Sequence, residues 1–89
     1  MFYTYIIENE KQQFYIGYTR DLKRRLIEHN QGLNKSTKKH KWSVVYYEAC
    51  KEHEDARRRE LYFKTSSGRR AVNTRLKVYL SERRKPKLH

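Results

Sequence analysis

The chain of 89 residues carries 22 Lys and Arg against 10 Asp and Glu, a formal charge of +12, so the expected partner is rich in negative charge. A single cysteine, Cys50, excludes an internal disulfide framework and any Cys-Cys zinc finger; no apolar run approaches the ~18 residues of a membrane span. Aromatics at 13%, eight of them Tyr, exclude a disordered tail that only neutralises phosphate, and Glu8 and Glu10 stand where a signal peptide would carry Lys or Arg, which leaves one small, soluble, cytoplasmic domain that makes no use of a membrane.

Phe2 to Glu8 and Gln13 to Tyr18 are dense in aromatic and β-branched residues, with polar Asn9-Glu10-Lys11 between them, and read as a β-hairpin. With those three residues as the loop, Tyr5 is expected opposite Tyr15 and Tyr3 opposite Gly17. Thr19 suits an N-cap, Leu22, Leu26 and Ile27 form an apolar stripe, and Gly32 suits the position just past a helix end, predicting a first helix over about 20–31. Arg25 and His29, four apart, then share one face.

Asn34 to Lys41 is polar and cationic, with Lys38, Lys39 and Lys41, and reads as a surface loop. Trp42 to Tyr47 predicts a third strand, and Glu52 to Ser66 a second helix stopped at Gly68, its early acids complementing the helix N-terminus. Ala56, Glu60 and Phe63 share one face of that helix, and a carboxylate on an inward stripe needs a partner or a metal. Val72, Leu76, Tyr79 and Leu80 predict a third helix over about 70–81. The sum is an α+β fold, a small three-stranded antiparallel sheet flanked by helices in the order β-β-α-β-α-α. Residues 1–80 form the expected domain, and 81–89, with Arg83, Arg84, Lys85, Pro86 and Lys87, a mobile basic tail. His40, His53 and His89 show no ligand spacing, and Trp42 and Tyr46 read as core.

Tyr5-Ile6-Ile7, then Tyr15-Ile16-Gly17-Tyr18-Thr19, then Arg24-Arg25-Leu26 and His29-Asn30 follow in an order and spacing that resembles the GIY-YIG nuclease superfamily. The likeness is greatest to its small stand-alone YhbQ-like branch and to the catalytic domain of structure-specific junction endonucleases, and covers roughly residues 2–80. Tyr3 stands where the first motif has glycine. The resemblance implies a metal-dependent endonuclease hydrolysing DNA phosphodiester bonds. It assigns the two motif tyrosines to Tyr5 and Tyr15, the motif glycine to Gly17, the helix-one arginine to Arg25, the following histidine to His29, the metal-binding glutamate to Glu60 and a terminal asparagine to Asn73.

Chemistry suits that assignment. Phosphodiester hydrolysis needs a deprotonated water, a cation against the developing charge and a proton for the leaving oxygen. Glu60 would hold one Mg²⁺ or Mn²⁺, Arg25 would clamp the scissile phosphate, and Tyr5, assisted by Tyr15 or His29, would be the general base if nearby cations depress its pKa. Gly17 would let DNA approach the second strand closely. Tyr18, Arg24, Lys38, Lys39, Lys41, Arg69, Arg70 and Asn73 are the expected nucleic-acid contacts. A chain this small has no separate sequence-reading domain, so substrate choice is expected from shape (branched, flap or single-stranded DNA, or RNA) or from a protein partner. The competing reading is a non-catalytic DNA- or RNA-binding module on the same fold.

Overall fold

The computed structural model describes residues 1–84. Three strands, β1 (Phe2–Asn9), β2 (Phe14–Thr19) and β3 (Trp42–Cys50), make an antiparallel sheet in the order β2-β1-β3. Helix α1 (Leu22–Asn30) lies between β2 and β3 in the chain, and α2 (His53–Phe63), α3 (Ser66–Arg75) and α4 (Lys77–Arg84) follow the sheet. The α+β class is as expected. The element order gains one helix, because the segment read as a single helix over 70–81 breaks at Leu76, where the backbone leaves helical geometry.

Alternation along β1 sends its side chains to opposite faces. On one face Ile6 joins Phe63, Val72, Leu76 and Leu80 of α2, α3 and α4. On the other, Tyr5 and Ile7 pack with Trp42, Tyr15, Val44 and, from α1, Leu22 and Leu26. The sheet is therefore covered on both sides, and the central strand is buried from Thr4 to Asn9. Between Ile6 and Ile7 the pairing with β3 slips, inserting Val45. That bulge lets Val45 and Tyr46 both pack against the Ile6 cluster.

The hairpin register departs from expectation: Tyr5 pairs with Gly17 and Ile7 with Tyr15. The three-residue loop is Glu10-Lys11-Gln12, one residue later than predicted, closed by Asn9 N–H on the Gln13 carbonyl at 3.1 Å. Asn9 is what moves it. Its Oδ1 accepts from the N–H groups of Lys11 and Gln13, which makes Asn9 the first turn residue's anchor instead of a loop residue, and Gln12 supplies the left-handed φ of 63° that such a turn requires.

Helix boundaries shift for equally local reasons. The N-cap of α1 is Asp21, whose carboxylate accepts from Arg24 N–H, while Thr19 makes a turn with Asp21 ahead of it. Gly32, at φ 75°, ends the helix as expected. Helix α2 stops at Phe63 and Thr65 caps α3, so Gly68 is a helical residue and not a terminator. A Cβ there would lie 1.8 Å from the Tyr62 carbonyl oxygen, so only glycine lets α3 pack this tightly on the end of α2.

Buried Glu8 on β1 receives the Tyr79 hydroxyl and the Arg83 guanidinium, which also lies over Phe14. These contacts hold α4 to the sheet, and Ser81 to Arg84, expected at the start of the tail, are helical. Lys85, Pro86 and Lys87 of that tail lie outside the described residues. Among the described residues, no helix is long and apolar enough to cross a membrane.

Candidate active site

The site is assembled around His29. Helix α1 crosses the Tyr5 face of the sheet, and the stripe of Leu22 and Leu26 that buries it turns His29, on the same side, inward until the imidazole has no exposure. Nε2 of His29 lies 2.8 Å from the Tyr5 hydroxyl and Nδ1 lies 2.7 Å from the Thr37 hydroxyl. Thr37 is also fully buried, and its own hydroxyl points to the Asn34 carbonyl at 3.4 Å. The Arg25 guanidinium lies beside the Tyr5 oxygen, where its positive charge favours the phenolate. One arrangement of protons satisfies every group: Tyr5 O–H donates to Nε2, Nδ1–H donates to Thr37, and Thr37 donates to Asn34. Tyr15 presses its ring edge on the same imidazole, with centroids 5.0 Å apart.

Burial sets the titration of this pair. It pushes the Tyr5 hydroxyl up to about 12, against the hydrogen bond and charge of Arg25, with Tyr15 and Glu60 adding to the rise. Arg25 lowers this phenol, as expected of a nearby cation, but dehydration outweighs it. Burial, joined by the Arg25 charge and opposed by Glu28, pulls His29 down to about 4, so at neutral pH the imidazole is uncharged with a free lone pair toward Tyr5.

Gly17 owes its identity to Tyr5. A Cβ at position 17 would stand 2.5 Å from the Tyr5 Oη and 2.7 Å from Cζ. The space expected to admit substrate is filled by the phenol, which crosses β2 at the glycine.

Beyond that crossing opens a cleft of about 400 Å³, lined by Tyr5, Tyr15, Gly17, Tyr18, Thr19, Arg24, Arg25, Glu28 and Glu60. It lies at β2, the outer strand of the sheet, where α1 reaches in from one face and α2 from the other. Helix α2 packs on the opposite face from Tyr5, through Ala56 and Phe63, yet Glu60 between them reaches the shared cleft. Its side chain is 14% exposed and pairs with Lys64 at 3.3 Å, which answers the need of an inward carboxylate for a partner. Arg25 spends one N–H on Glu28 at 3.1 Å, leaving part of its fork to the cleft. Among the described residues no group of three or more His, Cys, Asp or Glu is placed to hold a metal ion. A divalent ion here would draw on Glu60 and complete its shell with water, the habit of Mg²⁺, and the hard oxygens of the cleft suit it.

Of the expected nucleic-acid contacts, Tyr18, Gly17 and Arg24 line the cleft. Lys38, Lys39 and Lys41 are exposed on the loop between α1 and β3. Arg70 is exposed on α3, and Asn73 and Arg69 line a separate hollow of about 320 Å³ with Phe14 and Ile16, on the sheet face away from the phenols. Sequence reasoning missed Thr37 and Glu28. Glu28 follows Arg25 at helical spacing, a signal that was available; a threonine inside a lysine-rich loop gives none.

The GIY-YIG catalytic domain family model matches residues 1–75. A UPF0213 protein of Streptococcus pyogenes serotype M5 (strain Manfredo) is 32% identical over 87 residues, covering 96% of this chain and 90% of the relative. A UPF0213 protein from the ldhD 5' region of Pediococcus acidilactici is 34% identical over 70 residues, covering 74% and 71%. No solved structure matches the chain.

Proposed function

Because the chain belongs to the GIY-YIG catalytic domain family, with small UPF0213 proteins among its relatives, we propose that it is a metal-dependent endonuclease that hydrolyses DNA phosphodiester bonds with water as nucleophile. The observation that carries this reading is the single cleft that gathers Tyr5, Tyr15, Arg25 and Glu60 from four elements of the fold.

Tyr5 acts as the base without ever being a free phenolate. A hydroxyl held near 12 gives up no proton at neutral pH, but its oxygen can accept one from the attacking water while its own proton passes to the waiting Nε2 of His29, 2.8 Å away. Negative charge on a bound phosphate would raise the His29 pKa and favour that transfer. Tyr15 braces the imidazole. Arg25, with part of its fork uncommitted, binds the scissile phosphate and faces the charge that grows on it. Glu60 would hold Mg²⁺ or Mn²⁺, which when bound supplies further positive charge at the phosphate.

A chain at +12 draws the phosphate backbone whatever its sequence. Substrate choice then rests on shape, in branched, flap or single-stranded DNA, or on a protein partner. The test is purified protein with Mg²⁺ or Mn²⁺ on single-stranded, duplex and branched DNA, and on RNA of matched sequence, beside Arg25→Ala and His29→Ala. Cleavage by the parent with loss in both variants is expected. Binding by all three with cutting by none would replace the nuclease with a binding module.

A further inference from the structure

On the same sheet face as the catalytic phenols, but beyond β1 toward the outer strand β3, lies a second hollow of about 630 Å³. Its walls are unlike those of the cleft. Tyr47 sits directly across from Tyr5 in the β1–β3 pairing, and the ring of Tyr3 meets it at a centroid distance of 6.0 Å, so the row of phenols continues from the site to the sheet edge. Tyr47 is 55% exposed, so its ring is open to a partner. Facing the two rings, the first turn of α1 presents Lys23 and Arg24 beside its N-cap Asp21, while the Arg20 guanidinium at the rim lies over the Phe2 ring. Arg24 lines both this hollow and the cleft, so the two are continuous through one exposed guanidinium.

We infer that this hollow is a subsite for an unpaired nucleotide flanking the scissile phosphate, with the base against Tyr47 and Tyr3 and the backbone phosphates along Lys23 and Arg24. The inference rests on the nuclease reading and names the substrate feature it selects. Three physical points favour this occupant. Cations alone would attract any phosphate backbone, but an exposed π-face beside them rewards only a base that is free to stack, and every base has such a face. Bases within a duplex are already stacked and cannot use it. The volume falls in the ~300–1,000 Å³ range of small-ligand sites, enough for a nucleotide. Tyr3 also gives a use to the residue that replaces the first-motif glycine.

Binding is measured without hydrolysis, by fluorescence anisotropy in EDTA, on a labelled single strand and on the matching duplex, for the parent, Tyr47→Ala and Tyr47→Leu. Tyr47 is half exposed, so the fold should survive, and circular dichroism checks it. Both variants are expected to lose roughly 5- to 150-fold in affinity for the single strand, the effect of one stacked base, and less than about twofold for the duplex. A parallel measurement uses single strands carrying 2-aminopurine at successive positions: the parent should quench it at one or two positions and Tyr47→Ala should not. Equal losses on single strand and duplex, unchanged affinity, or absence of Tyr47-dependent quenching would each overturn the subsite. Because no step requires cutting, a subsite that binds as described in a protein that never cleaves would refute the nuclease reading alone, and cleavage without the binding difference would refute the subsite alone.

Discussion

Gly17→Ala is the smallest perturbation that strikes the centre of the site. The added carbon would stand 2.5 Å from Oη, 2.7 Å from Cζ and 3.1 Å from Cε1 of Tyr5, whereas carbon contacts settle at ~3.5–4.0 Å. The phenol must therefore retreat by about 1 Å, and at 1% exposure, packed with Ile7 and Trp42, it does so only by giving up those contacts. Overpacking costs ~1–3 kcal/mol, and breaking the buried hydrogen bond to His29 adds ~1–3 kcal/mol. Removing a flexible glycine from a strand returns only ~0.5–1 kcal/mol. The expected net loss is about 1–5.5 kcal/mol, and at ~4–8 °C per kcal/mol for a domain of this size the shift in Tm is easily read. Cleavage should fall by roughly 10²-fold, the effect of a ~1 Å misplacement of a reacting group. Thermal melts and single-turnover cleavage of one oligonucleotide test both. An Ala variant that melts within about 2 °C of the parent and cuts at its rate would refute the argument that glycine is there to seat Tyr5.

Three further outcomes follow from the same geometry. Thr37→Val removes the acceptor of His29 Nδ1–H, so both stability, by ~1–3 kcal/mol, and cleavage should drop, while Thr37→Ser should restore them; ¹⁵N chemical shifts of the imidazole report the tautomer. His29 falls from an ordinary 6.5 to about 4 on folding, so the unfolded chain binds the extra proton. Its contribution to stability is complete above pH 6.5 and is lost as the pH falls through 4, and melts of His29→Gln should be flatter than the parent's across that window. If six to ten phosphates are contacted, DNA affinity should fall by about 10³ to 10⁵ between 50 and 200 mM salt, and a salt-independent Kd would contradict the charge argument.

Much of this was legible because the motif residues sit in elements with strong local signals. Tyr5, Tyr15 and Arg25 belong to an aromatic hairpin and an amphipathic helix, and once those form, their spacing leaves few ways to meet. What escaped reading depended on contacts between distant parts of the chain or on an uncommon local choice. The hairpin register turned on Gln12 adopting a left-handed φ normally left to Gly or Asn. Gly68 looked like a helix stop because its purpose, close approach to the Tyr62 carbonyl, is tertiary. A sequence displays the Arg25 that lowers the Tyr5 pKa but not the dehydration that outweighs it. The placement of Asn73 and Arg69 on the far face follows from the tight turn at Lys64 that sets α3 against the end of α2, a turn not marked by proline.

The account stands on Glu60 serving the same chemistry as the phenols, although α2 packs on the other face of the sheet. The direct test is cleavage of a branched and a single-stranded DNA by the parent and by Glu60→Gln, each titrated with Mg²⁺ and Mn²⁺. The parent should cut with a saturable metal dependence, and the Gln variant should be slower by roughly 10²-fold or more with DNA binding retained. A Gln variant that cuts at the parent's rate and with the parent's metal dependence would remove Glu60 from the site.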